Sequence, residues 1–374
     1  MTIATQPKTL LGDGFLPFQF AVQTASFDAT GKRFEAIVQK LKNLKDFVRG
    51  EHAYGVCPEM MTSLIKQVDG VTDVVPEGAF SSIAIPLFMY RSLTGQPTKL
   101  FSVVGSGKMA DAIAASMSDH GVELSAKVIK QGDSPIELSV RDEFGNQETI
   151  RLYPTSRNQY RQALKLSKSE LAAASGFVLT RFNSGRAIAM QRIAELGGMT
   201  SLRIAEPSRY VSLDDSLSLL PQANQVILSH RDKVLQKVFK HLQLDKSVAG
   251  TPKLRWSGRY DMAVQKLIRR LRDAAAGSAL ITLILEDEVV FSPPDSESLR
   301  YRAPQLYDKR SRAARLQGAT AAAEMLRSQS PDRIESWSEA CNWIMQAAYA
   351  GTEGRPTRYP DHHFEPSGNW QVSD

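Results

Sequence analysis

Runs of apolar, strand-like sequence alternate with helical segments along most of this chain. That alternation restricts it to an α/β fold built around a mostly parallel sheet. Phe18–Thr24 is a short apolar run, 100–105 (LFSVVG) reads as a buried strand, and 109–120 reads as the helix that follows it. Further strands are expected at 177–181, 200–204, 225–228 and 279–285, with helices at 78–93, 184–196, 310–328 and 337–350. Residues 135–153 alternate in polarity on both sides of a turn-forming stretch, Asp142-Glu143-Phe144-Gly145-Asn146, which predicts a hairpin. A parallel sheet holds its ligands at the carboxyl ends of its strands. A hairpin inserted in such a fold is a natural lid over that edge.

A chain of 374 residues with 42% hydrophobic content can bury one large core or two smaller ones. Its two cysteines, Cys57 and Cys341, are too few for a disulfide framework and lack metal-ligand spacing, so both are expected as thiols in a reducing compartment. No stretch approaches eighteen apolar residues, and a soluble cytoplasmic protein without a membrane span is expected. The net charge is +6. Its excess is concentrated between Lys233 and Arg272, where eleven Lys or Arg meet two acids. Two readings stay open there: a solvated helix face, or a surface for an acidic partner such as a nucleic acid.

Three segments bear on chemistry. The first is LYDKRSRAARLQGATAAAEML, residues 306–326, an Ala-rich helix entered through Asp308, Arg310, Arg312 and Arg315. The second is Val104-Gly105-Ser106-Gly107-Lys108-Met109-Ala110, a glycine-rich strand-to-helix turn. It is not a Walker A loop, since Ser102 stands where the first glycine is needed and Met109 where Ser or Thr is needed. Such a turn can nevertheless bind an anion at the helix N-terminus, with Lys108 beside it, or simply be a tight turn. The third is Glu77-Gly78-Ala79-Phe80-Ser81-Ser82, which reads equally as a plain helix start.

The order and spacing of these segments, from about Phe18 to Gly351, resembles the ribokinase-like (PfkB) carbohydrate and nucleoside kinases. The resemblance implies a three-layer α/β/α sandwich with a mostly parallel central sheet and a small β lid. The domain would span 18–351, with lid segments near 28–60 and 133–155. An extension (1–17) would precede it and an irregular tail (352–374) would follow. In this frame residues 18–28 are the first strand, and Asp28 is the acid that binds sugar hydroxyls; without the family, Asp28 simply begins the turn Asp28-Ala29-Thr30-Gly31. Gly78 and Ser82 mark the remnant of the paired-glycine and Asn motif, with Glu77 replacing one glycine. Asp232 is retained where an acid helps to order magnesium, while Ser229 replaces the Asn. Asp308 matches the leading Asp of the last motif, Ser311, Arg312 and Ala313 replace its small-residue turn, and Ala314 stands at the position of the catalytic base.

These losses imply a catalytically degenerate member acting as a binding, scaffolding or regulatory subunit, without cofactor or metal. The partner would be a protein, or a nucleic acid or acidic surface meeting the 233–272 stretch and Arg310, Arg312 and Arg315, and the lid could mediate a homodimer. An alternative is an active sugar or nucleoside kinase using ATP and Mg, with Asp308 as a relocated base. A second alternative is a nucleic-acid-associated protein using the basic face.

Overall fold

Near-continuous apolar runs are what strands covered by helices on both faces require, and five such runs form the core of the protein. The computed structural model describes residues 9–25, 32–49, 55–130, 132–155, 160, 166–180, 184–204, 212–229, 238, 258–275, 277–285, 288–294, 296–302, 311–329 and 335–350. The chain divides into two units, one drawn from 1–13, 85–98 and 163–374 and the other from 14–84 and 99–162.

In the first unit, β1 (Thr9–Asp13), β8 (Ala174–Leu179), β9 (Met199–Ile204), β10 (Gln225–Ser229) and β11 (Leu280–Ile284) pair in parallel in that order. β12 (Glu288–Ser292) and β13 (Leu299–Arg302) continue beyond β11 as antiparallel strands. Every residue of β10 and β11 is buried. Helix α6 (Ser184–Glu195) packs on β8 and β9, and α8 (Gly258–Ala274) packs on β11. Both also meet the 3-10 turn Leu220–Gln222, so they share one face of the sheet. Helix α9 (Ser311–Gln329) packs on β9 and β10, and on α10 (Trp337–Tyr349), which reaches β13. Two short helices, α5 (Lys168–Ala173) and α7 (Leu213–Leu217), each begin with a capping box, at Ser167 with Glu170 and at Ser212 with Asp215.

The helix α9 is not amphipathic. From Arg312 through Ala323 every residue is buried, which is the pattern of a helix enclosed on all sides. Its small side chains permit this. A Cβ on Gly318 would lie 2.6 Å from Met89 Cβ and 2.6 Å from Pro86 O, so α9 passes against α3 (Ala84–Thr94) at backbone distance. Helix α10 starts at Ser336, whose hydroxyl accepts the Glu339 N–H at 3.1 Å while the Glu339 carboxylate accepts the Ser336 N–H at 3.0 Å. The Arg327 guanidinium stacks 3.9 Å from the centre of the Trp337 ring and joins the end of α9 to the start of α10. Cys341 on α10 is enclosed, and burial pushes its thiol up to about 12; Cys57 is half-buried.

The second unit contains a four-stranded sheet in the order β3 (Val71–Gly78), β2 (Phe18–Thr24), β6 (Ile136–Asp142), β7 (Gln147–Leu152). β6 and β7 form the expected hairpin, and the Asp142 carboxylate holds its turn by accepting the N–H groups of Phe144 at 3.0 Å and Asn146 at 2.8 Å. One face of this sheet is apolar (Phe18, Phe20, Val22, Ile136, Leu138, Val140) and buried. Helix α1 (Lys32–Lys42) packs on β7 and α2 (Pro58–Lys66) on β3. The same unit holds β4 (Thr98–Val104), α4 (Lys108–Asp119) and β5 (Val122–Val128).

The structure corrects four expectations. Thr9–Asp13 is not part of an extension but a strand of the main sheet, paired with β8; five residues are too few for periodicity to announce it. Phe18–Thr24, expected as the first strand of the central sheet, lies between β3 and β6 in the four-stranded sheet. The helix expected from Gly78 starts only at Ala84, because Val71–Gly78 pairs with β2 and Gly78, at φ +82°, turns the chain out of the strand. The described part of the lid segment expected at 28–60 is helical, and the strands of the second sheet lie outside it.

The Gly318→Ala substitution separates two effects of opposite sign. Helix propensity alone would stabilise the variant by about 1 kcal/mol. The new methyl meets Pro86 O and Met89 Cβ, and overpacking of this kind costs about 1–3 kcal/mol. A net loss of stability is expected, measured as a lower denaturation midpoint at unchanged slope.

Candidate functional site

Ligands of a parallel sheet meet the carboxyl ends of its strands, so the residues there come first. In the first unit these ends are Asp13, Leu179, Ile204, Ser229 and Ile284. The N-terminal turn of α9 reaches this edge: the Arg312 Nη1 donates to Leu285 O at 3.3 Å. Ala314, on the next residues of that turn, is fully buried and carries no polar side-chain atom. Arg315 is 1% exposed and directed toward the end of α10, with Nε donating to Ala348 O and Nη2 to Ala350 O, both at 2.6 Å. A cation at a helix C-terminus is favoured by the helix dipole and by the carbonyls that lack partners within the helix. Tyr349 lies against both guanidiniums, and burial pushes its hydroxyl up to about 12. One turn further on, Gln317 Nε2 donates to Ser201 Oγ at 3.1 Å, Ser201 O at 3.3 Å and Leu179 O at 3.4 Å, fixing α9 over β8 and β9.

A charged pair sits at the same edge. Asp13, the last residue of β1, accepts from Arg186 Nε at 2.5 Å across to the first turn of α6. Burial raises the Asp13 carboxyl above its ordinary value, against the opposing pull of the Arg186 guanidinium.

In the second unit, the glycine-rich turn between β4 and α4 is filled from within. The Asp133 carboxylate accepts the N–H groups of Met109 at 3.1 Å and Ala110 at 3.0 Å, the first amides of α4, and of Ser134 at 2.6 Å. Gly105 N–H donates to Ser134 Oγ at 2.9 Å, Ser106 N–H to Gly132 O at 3.0 Å, and Tyr160 Oη to Asp133 O at 2.6 Å. A Cβ on Gly105 would fall 2.1 Å from the Asp133 carbonyl carbon, so glycine is needed for the two segments to meet. The protein's own carboxylate thus takes the place that an external anion would occupy at this helix N-terminus.

The sequence candidates fall out as follows. Asp28, Asp232, Asp308 and Arg310 lie outside the described residues. Lys108 is exposed, and the Met109 and Ala110 amides beside it donate to Asp133. Arg312 and Arg315 are both buried and donate to carbonyls of the chain itself. Gly78 packs against α4, where an added Cβ would lie 2.6 Å from Ser116 Oγ, and Ala79 N–H donates to that hydroxyl at 3.0 Å. Ser82 is exposed two residues before α3, whose Ala84 N–H is capped by Ser81 Oγ at 3.2 Å. Among the described residues no three His, Cys, Asp or Glu are grouped to hold a metal, and no helix is long and apolar enough to cross a membrane. Sequence reasoning missed Asp13, Arg186, Asp133 and Gln317. Only Asp133, inside the turn-forming Gly132-Asp133-Ser134, carried a local signal, and nothing local indicated that it folds back on residues 105–110.

The Asp133→Ala variant should be less stable, because it removes the acceptor of three N–H groups; a lost cap of this kind costs about 0.5–2 kcal/mol. The deficit should depend on pH. Burial holds the Asp133 carboxyl above its ordinary value. The folded state therefore keeps this proton to higher pH than the unfolded chain, and its contribution to stability is full below about pH 4 and fades as pH rises through the folded value. Denaturation across pH 3–8 should show the variant's deficit largest in acid and smaller at neutrality.

No sequence-family description matches the chain, and no curated protein matches it. Solved structures do. Ribokinase of Arabidopsis thaliana complexed with ribose and ATP superposes with a TM-score of 0.63 at 12% identity, covering 96% of this chain and 97% of that one. Ribokinase of Cryptococcus neoformans in complex with ADP gives 0.62 at 13% identity, covering 94% and 95%. Fructokinase of Xylella fastidiosa with bound ATP gives 0.61 at 13% identity, covering 96% and 94%. The strand order, the helices on both faces of the sheet and these superpositions agree: the chain has the ribokinase-like α/β/α sandwich fold.

Proposed function

We infer that this protein is a catalytically degenerate ribokinase-like chain that acts by binding, as a scaffolding or regulatory subunit of a larger complex. The observation that carries this reading is the fully buried Ala314 on the first turn of α9. Phosphoryl transfer to an alcohol needs a group to take the hydroxyl proton and donors to stabilise the transferring phosphate. Ala314 supplies no proton acceptor, and loss of a general base lowers the rate by about 10²–10⁴-fold. The described side chains of this turn do not fit a nucleotide phosphate or its magnesium either. Ala313 and Ala314 offer no polar atoms, and Arg312 and Arg315 are engaged by Leu285, Ala348 and Ala350.

A second reading, an active sugar or nucleoside kinase using ATP and magnesium with Asp308 as a relocated base, draws on the fold shared with ATP-bound ribokinase and fructokinase. One assay separates the two. The purified chain with ATP and magnesium should release no ADP above background when ribose, fructose or adenosine is added. Acceptor-dependent release that disappears in Asp308→Asn would overturn the degenerate reading in favour of the active one.

A further inference from the structure

The basicity of this chain is local. The stretch between Lys233 and Arg272 carries an excess of nine positive charges against a whole-chain charge of +6, so the remainder is net acidic by three. The described part of that stretch is chiefly α8, which buries Val264, Leu267, Ile268 and Leu271 against the sheet side of the first unit. The opposite stripe, Gln265, Lys266, Arg269, Arg270 and Asp273, is exposed. Arg272 is not part of it, since its guanidinium donates to Ser292 O at 3.0 Å and also to Pro294 O. Lys266, Arg269 and Arg270 make no ion pair with Asp273 or with any other described carboxylate. They sit three and four residues apart, within one turn, where side chains lie about 5–6 Å from each other.

We propose that the outer face of α8, through Lys266, Arg269 and Arg270, binds the phosphate backbone of a nucleic acid. This deepens the binding role inferred above by naming the partner. The composition of the face favours a nucleic acid over an acidic protein. Protein interfaces draw their affinity from buried aromatic and aliphatic anchors, and this stripe has none. Contacts to phosphates require only cations, arginine being suited to grip phosphate oxygens bidentately. The buried apolar stripe holds the helix in place, so the cations are presented on a rigid element.

The test uses the full-length protein with a fluorescein-labelled 20-base-pair DNA duplex of random sequence, and in parallel a single-stranded RNA of the same length. For three neutralised phosphates on the duplex, log affinity should fall against log salt with a slope of about −2.7, or about 40-fold between 50 and 200 mM. Reversing the face with Lys266→Glu, Arg269→Glu and Arg270→Glu together should weaken binding of either probe by about tenfold or more. A control with Lys32→Glu, Lys45→Glu and Lys66→Glu changes net charge equally at exposed positions elsewhere and should keep most of the affinity. Absence of binding at 50 mM salt, equal loss in both variants, or full retention in the α8 variant would overturn the proposal. So would binding to polyglutamate but to neither nucleic acid, which would assign the face to an acidic protein. Circular dichroism of each variant separates loss of binding from loss of fold. The ADP-release assay is independent: a chain that binds nucleic acid and also phosphorylates an acceptor would sink the degenerate reading and leave this one standing.

Discussion

The first unit depends on a helix of small residues lying close to its neighbours on every side. Alanine and glycine make α9 thin enough for Gly318 to meet the backbone of Pro86, and buried polar side chains then fix where the helix lies. Gln317 ties it to β8 and β9, Gln225 reaches Thr320 O at 3.2 Å from β10, and Arg315 reaches the end of α10. Buried polar groups cost stability unless they are paired, so these contacts specify one placement of the helix and not a family of sliding alternatives.

Groups of the chain itself engage two helix starts that the sequence offered as anion sites. At the start of α9, two arginines that read from sequence as phosphate donors serve as internal clamps on carbonyls. At the start of α4, Asp133 supplies the negative charge that the helix dipole attracts. The fold is ribokinase-like, and among the described residues of the first turn of α9 the arginines are engaged by carbonyls of the chain itself. Superposition over about 95% of the chain with ATP-bound kinases speaks for the architecture; at 12–13% identity it leaves the chemistry to the residues themselves.

Much of the architecture was legible. The strands at 200–204, 225–228 and 279–285 announced themselves because they are buried on both faces and read as unbroken apolar runs, and the 135–153 hairpin because its turn chemistry is explicit. The errors came where local signal was thin or shared. Thr9–Asp13 is too short to show a period. Phe18–Thr24 is apolar enough for either sheet, and only its antiparallel pairing with β3 and parallel pairing with β6 decides between them. Residues 78–83 resemble a helix start, yet Gly78 ends a strand through a backbone angle that sequence does not display.

What the amino-acid sequence determined on its own was the class of fold, the absence of a carboxylate at position 314, and the concentration of positive charge between Lys233 and Arg272. These are properties of residue type and periodicity, and they hold wherever the residues end up. Which cations face outward and which are consumed inside was settled only by tertiary structure. Arg312, Arg315 and Arg272 donate to carbonyls far away in the chain, while Lys266, Arg269 and Arg270 remain on the surface. Nor could the sequence reveal that Asp133 closes a turn 24 residues earlier. A charged side chain is assigned its work by the partners that folding brings to it, and those partners are distant in sequence.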